Sequence, residues 1–162
     1  ANEAAIKLAR KYASDNGRPP EAREIVTFKG SFHGRTLATV TATAQPKYQQ
    51  GYEPLPGGFI YAEAYNSEEA VNKVVSEKTC AILIEPVQGE GGIIPAKAGF
   101  LNFLRKKCDE VGALLMLDQL LRAPVEARAL AMLRDYFRAQ GIEEPTYYYM
   151  PSAPYTVPVE QA

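Results

Sequence analysis

The chain has 162 residues, 18 of them basic and 19 acidic, and 46% are hydrophobic, which is enough for one domain with its own core and excludes disorder throughout. A net charge of −1 offers no electrostatic footprint for nucleic acid or for an anionic membrane surface, so a small molecule or a protein is the expected partner. The longest apolar runs, such as Ala113 to Leu117, fall far short of the roughly 18–20 residues that span a bilayer.

The chain opens in helix-like sequence with no basic leader and no hydrophobic stretch, so any address signal is expected to have been removed or never included. Ala5, Ile6, Leu8, Ala9 and Tyr12 recur at helical spacing, and Asn16-Gly17 before Pro19-Pro20 supplies a stop. Glu24 to Phe28 reads as a short strand, Thr36 to Thr43 as a short helix, and Pro46, Pro54, Pro56 and Gly57-Gly58 as a long loop. Phe59 to Ala62 returns to extended chain. Ser67 is placed to cap a helix with Glu68 and Glu69 in its first turn and Ala70, Val71, Val74 and Val75 on its apolar face.

The next stretch reads as a βαβ unit: a strand Cys80 to Ile84, a turn through Gly89, Gly91 and Gly92, a helix Phe100 to Val111 stopped by Gly112, and a strand Ala113 to Leu117. Both strands are unbroken apolar runs, as expected when helices cover both faces of a parallel sheet. Parallel neighbours end at the same sheet edge, so Glu85 and Asp118, each the first acidic residue after its strand, are expected in one ligand-binding crevice. Cys80 and Cys108 fall within these apolar elements and read as buried free thiols. Beyond Asp118, residues 124 to 140 form an amphipathic pattern stopped by Gly141, and residues 142 to 162 hold Pro145, Pro151, Pro154 and Pro158 with four tyrosines, which disfavours regular helix.

Single motifs carry little. Gly89-Glu90-Gly91-Gly92 is neither a P-loop nor a dinucleotide fingerprint, and alone it reads as a tight turn after a buried strand. His33, the sole histidine, has no cysteine or carboxylate cluster at metal-ligand spacing, so no metal site is expected and the residue reads first as a hydrogen-bonding or packing group. Arg35, beside Gly34, offers a planar fork suited to a carboxylate or phosphate, although a loop arginine is more often simply solvated.

Taken in order, Phe32-His33-Gly34-Arg35-Thr36, Glu85-Pro86-Val87-Gln88-Gly89-Glu90-Gly91-Gly92 and Ala113 to Asp118 resemble the class III pyridoxal-phosphate aminotransferases of the acetylornithine/ornithine type. Ala1 to Ala5, Lys7 to Tyr12 and the Phe100 to Glu110 helix agree in order and spacing, and the match covers about residues 1–119. The resemblance implies an α/β fold, a fragment of a type I PLP-transferase large domain with a mainly parallel sheet and flanking helices; the helix expected over residues 120–141 and the Pro/Tyr-rich tail over 142–162 are unrelated to the family. It implies pyridoxal 5′-phosphate as cofactor, with Phe32 stacking on its ring, His33 beside it and Asp118 facing the pyridine nitrogen. Arg35 would hold the carboxylate of an ornithine-type substrate, Glu90 would be the glutamate that pairs with and releases a second arginine, and Glu85 would be a supporting neighbour. The implied activity is amino transfer from N-acetylornithine to 2-oxoglutarate in arginine biosynthesis, by a homodimer that is mitochondrial in fungi and cytoplasmic in bacteria, without nucleic-acid or membrane partners.

The match has gaps. Where the family continues its aspartate with Glu-Val-Gln, this chain has Gln119, Leu120 and Leu121, and no lysine follows Lys107. The family's Schiff-base lysine lies downstream of that aspartate. Its phosphate-cradling pair and its small domain likewise match nothing here. A truncated gene model, a reading-frame change or a fusion is the expected origin of the residues after Gln119. The expected product is therefore an aminotransferase fragment with little activity alone; the competing reading is a degenerate, non-catalytic relative serving as a binding or dimerisation partner.

Overall fold

The computed structural model describes residues 1–118, so the helix expected over 124–140 and the Pro/Tyr-rich tail lie outside the described residues. The centre of the fold is a four-stranded sheet in which every pairing is parallel. Its strands are β1 (Glu24–Phe28), β2 (Phe59–Ala62), β3 (Thr79–Ile84) and β6 (Leu114–Leu117), in the order β2-β1-β3-β6. A small antiparallel hairpin, β4 (Val87–Gln88) with β5 (Ile94–Pro95), stands apart from it.

The apolar runs of the central strands have a direct consequence. Side chains alternate between the faces of a strand, so a strand apolar at every position needs cover on both sides. Val26, Phe28, Ile82 and Ile84 pack on one face with Ala70 and Val71 of α4 (Glu68–Val74) and with Phe100, Leu101, Leu104 and Cys108 of α5 (Phe100–Val111). Ile25, Ala81 and Leu83 pack on the other face with Ile6, Ala9 and Ala13 of α1 (Asn2–Asp15) and with Ala38 and Ala42 of α2 (Leu37–Ala42). Each fully buried isoleucine or leucine in these layers contributes on the order of 1.5–3 kcal/mol from water exclusion alone.

The helix ends follow their sequence signals. The side chain of Ser67 accepts the Ala70 N–H at 3.1 Å. Gly17 and Gly112 close α1 and α5 in left-handed conformation at φ 77° and 64°. After α1 the Gly17 and Arg18 amides return to Ser14 and Ala13, the paired bonds of a Schellman turn. Arg18 then ties the bottom of the sheet together, its guanidinium donating to the carbonyls of Thr79, Val111 and Gly112.

The helix expected from the first residues forms, and its seating decides which of its apolar residues are covered; two expectations elsewhere require correction. Leu8 and Tyr12 stand 68% and 50% exposed, because α1 turns Ile6, Ala9 and Ala13 to the sheet and this three-to-four spacing carries Leu8 and Tyr12 past its edge. The proline-rich segment is not loop throughout: Pro46 starts a one-turn helix, α3 (Pro46–Gln49), where its missing N–H costs nothing. The glycine turn after β3 is the tip of the β4–β5 hairpin rather than a direct link to the following helix. The two thiols match their reading. Both cysteines are free and buried, on opposite faces of the sheet, and burial pushes the Cys108 thiol up to about 11.

Candidate active site

β3 and β6 run parallel with Ile84 opposite Leu117, so the next residue on each, Glu85 and Asp118, emerges at the same carboxyl-end edge. The Asp118 amide still donates to the Ile84 carbonyl at 2.8 Å. The loop after β1 crosses above both strand ends and brings in Phe32, His33 and Arg35. Its conformation is held by Glu85, whose Oε1 accepts the Phe32 N–H at 2.7 Å, and by Thr43, whose hydroxyl accepts the His33 N–H at 2.8 Å. Gly34 sits at φ 133°, and a Cβ there would lie 2.7 Å from the Thr39 hydroxyl, so both backbone freedom and space call for glycine beside Arg35.

Asp118 is the most elaborately held of these groups. Its Oδ2 receives the Asn2 side-chain amide at 2.6 Å and lies 2.9 Å from His33 Nδ1, while the Asn2 amide also reaches the His33 carbonyl at 2.9 Å. A carboxylate only accepts, so the proton in the histidine contact is on Nδ1. The His33 ring is fully buried and Asp118 nearly so, and His33 Nε2 has no hydrogen-bond partner among the described residues. Both of the Asp118 side-chain contacts among the described residues fall on Oδ2.

Glu85 works differently. Besides Phe32, its other oxygen accepts the Gly89 N–H at 3.1 Å, so one buried carboxylate pins the β1 loop and the hairpin turn together. Burial pushes its pKa up, against the opposing pull of the two amides and of His33; the Asp118 charge adds to the rise. The hairpin presses on the same loop at Gly91, where a Cβ would lie 2.7 Å from the Gly30 carbonyl oxygen. Gly91→Ala is therefore expected to cost about 1–3 kcal/mol, the usual range for overpacking against rigid backbone, read as a lowered denaturation midpoint with unchanged m-value.

A second group forms the rim. The Arg35 guanidinium lies 5.4 Å from the centre of the Phe32 ring and 4.4 Å from that of Tyr48, and the two rings meet edge to face at 5.5 Å. The Tyr48 hydroxyl is 3.3 Å from the Glu90 carboxylate. Thus Phe32, His33, Glu85 and Asp118 converge on the strand ends, and Arg35 and Glu90 meet through Tyr48 outside them. Asn2 and Tyr48 carried no assigned role in the sequence reading. Asn2 is 116 residues from Asp118, and no local pattern signals a contact at that separation.

The largely buried acceptor Asp118, held through Oδ2, suits a protonated ring nitrogen, and the half-buried Phe32 ring suits an aromatic neighbour. At this end the residues fit pyridoxal phosphate.

The family model described as Aminotransferase class-III matches residues 1–121. An acetylornithine aminotransferase from Xanthomonas campestris is 59% identical over 120 residues, covering 74% of this chain and 29% of its own length. The N-acetylornithine aminotransferase of Stenotrophomonas maltophilia superposes with a TM-score of 0.56 at 42% identity, over 73% of this chain and 26% of that one. The ornithine aminotransferase of Toxoplasma gondii, crystallized in the presence of oxidized glutathione and with partial occupancy of PLP at its active site, superposes with a TM-score of 0.67 at 27% identity, over 72% of this chain and 28% of that one. The chain thus spans under a third of the length of the relatives it matches.

Proposed function

Starting from the fact that this chain belongs to the class-III aminotransferase family, we propose that it is part of a pyridoxal-phosphate-dependent enzyme that moves an amino group from N-acetylornithine to 2-oxoglutarate. The observation that carries the cofactor half of this reading is the Asp118 carboxylate, held by Asn2 and His33 on one oxygen at the carboxyl edge of a parallel sheet, where ligands of such folds bind. The substrate half rests on the similarity to acetylornithine aminotransferases and on the exposed Arg35 fork.

Pyridoxal phosphate, when bound, supplies an electron sink for the pair left at the substrate carbon as its proton departs. Asp118 would hold a proton at the pyridine nitrogen, since a fixed carboxylate at that atom favours the charged ring. His33 and Asn2 orient that carboxylate and satisfy its second oxygen. Phe32 would cover the ring, and Glu85 fixes the Phe32 backbone that places it. Arg35 would take the substrate carboxylate by paired N–H donors, with Glu90 as the nearby negative charge that discriminates between amino donor and keto acid. The proton at the substrate carbon needs a mobile base, the task the family gives to a lysine downstream of its aspartate. The 162-residue polypeptide has no lysine after Lys107, so by itself it is expected to bind rather than turn over.

The test uses pyridoxine 5′-phosphate, which has the ring nitrogen but no aldehyde and so cannot react with surface lysines. Wild-type chain is expected to bind it, and Asp118→Asn to bind at least about tenfold more weakly, in line with the worth of a charge-assisted hydrogen bond. Equal binding by the two proteins in a fluorescence titration would remove Asp118 from the cofactor site.

A further inference from the structure

The geometry points to Tyr48 as a positioning residue that keeps Glu90 off Arg35, so that the arginine fork stays open to an incoming carboxylate. The inference rests on the reading of Arg35 and Glu90 as substrate-binding residues given above, and adds a residue and a device which that reading does not contain.

Arg35 and Glu90 carry opposite charges, both are exposed, and both contact the same side chain. Left to themselves such groups form a paired-donor ion pair, the strongest arrangement available to an arginine and a carboxylate. No Arg35–Glu90 ion pair is present among the described residues. Instead Tyr48 separates their attachment points. Its ring is the platform for the guanidinium, at 4.4 Å, while its hydroxyl, at the far end of the same ring, lies 3.3 Å from the Glu90 carboxylate. Phe32 and Tyr48, set edge to face, give the guanidinium two aromatic neighbours. A guanidinium held by its π face keeps its N–H edge available for hydrogen bonds in the ring plane.

Tyr48 itself is well placed to act as a spacer. It sits on α3, whose start is set by Pro46. The neighbouring Gln49 side chain donates to the Thr41 and Thr43 carbonyls at 3.2 and 3.0 Å, and Gln45 reaches the Ser31 carbonyl at 2.8 Å. The one-turn helix is thereby fastened to the same loop that carries Phe32 and Arg35. Glu90, in contrast, lies in the exposed hairpin turn, where the Tyr48 hydroxyl donates to its carboxylate. Removing that single oxygen frees Glu90 to move onto Arg35 and compete with any carboxylate that binds there.

The test follows the Arg35 side-chain Nε–Hε signal by NMR in the full 162-residue chain, for wild type, Tyr48→Phe, Glu90→Gln and the double variant. Without ligand, Tyr48→Phe is expected to shift this signal, and the double variant to return it to the Glu90→Gln position. Phenylalanine keeps the ring, so a purely structural role would leave the signal in place. No shift in Tyr48→Phe, or a shift that Glu90→Gln leaves unreversed, overturns the proposal. Glutarate, a plain dicarboxylate, is then titrated into each protein. Tyr48→Phe is expected to need about two- to fivefold more glutarate than wild type, the competition an exposed ion pair exerts, and the double variant to match Glu90→Gln. Equal glutarate affinity for wild type and Tyr48→Phe also overturns it. If glutarate leaves Arg35 unmoved even in wild type while the ligand-free signals behave as stated, the assignment of Arg35 to the substrate falls and the spacer role of Tyr48 stands.

Discussion

Supplied with pyridoxal phosphate, N-acetylornithine and 2-oxoglutarate, the isolated 162-residue chain is expected to form glutamate no faster than pyridoxal phosphate alone. The reason, on the function proposed above, is the base that step requires. Moving a proton from the substrate carbon by a positioned side chain contributes about 10²–10⁴ in rate, and no lysine follows Lys107 in this polypeptide. Lys29, just after β1, pairs with Glu63, and the Lys47 ammonium lies 4.6 Å from the centre of the Tyr48 ring. Borohydride treatment of the mixture should therefore label several exposed lysines, such as Lys7 and Lys11, at comparable low levels. One stoichiometrically labelled lysine together with measurable glutamate would show that the chain supplies its own base, and the binding-only reading of the isolated polypeptide would be wrong.

The second large effect is on stability. Glu85→Ala is expected to lower the free energy of unfolding by about 2–5 kcal/mol, because two amide donors, those of Phe32 and Gly89, lose their acceptor in a site where Glu85 is only 2% exposed, and each such orphan costs on the order of 1–3 kcal/mol. Glu85→Gln keeps one acceptor oxygen but turns an NH₂ group towards one of the two donors, so an intermediate loss is expected. The pH dependence has a definite sign. The folded-state pKa of Glu85 is raised above its unfolded value, mainly by burial, so the folded chain binds the proton more tightly than the unfolded chain does. Its contribution to stability is full below the unfolded carboxylate range and is lost as pH rises through the folded pKa. Urea unfolding across that window should show a flatter stability curve for Glu85→Gln than for wild type. A curve of equal slope in both proteins would mean that Glu85 does not titrate differently on folding.

Local signals were enough for most of the scaffold. Strands β1 and β2, and the span of α5 between Phe100 and Gly112, agree with their sequence signatures because each rests on physics acting within a dozen residues: short runs rich in β-branched and aromatic residues for strands, a glycine that tolerates φ near 64° for the helix end, a serine oxygen within reach of the Ala70 amide for a cap. The neighbourhood of Glu85 and Asp118 was also legible, since two strands joined by one helix run parallel and must end at one edge. The sequence was silent where a residue's environment depends on a partner far along the chain. Leu8 and Tyr12 have the periodicity of a buried face, yet only the seating of α1 on Ile25, Ala81 and Leu83 decides which stripe is covered.

The amino-acid sequence by itself determined the family, the parallel sheet and the common edge at which Glu85 and Asp118 emerge, because these follow from order, spacing and strand direction. Tertiary structure alone decided how the site residues are held: Asn2 and His33 on one oxygen of Asp118, Glu85 bridging two loops, Tyr48 between Arg35 and Glu90. Apart from the Glu85–Gly89 bond, these contacts join segments well separated along the chain, most of them by tens of residues. A hydrogen bond is specified by distance and angle to within a few tenths of an ångström, and no pattern of neighbouring side chains encodes that until the sheet has brought the segments together.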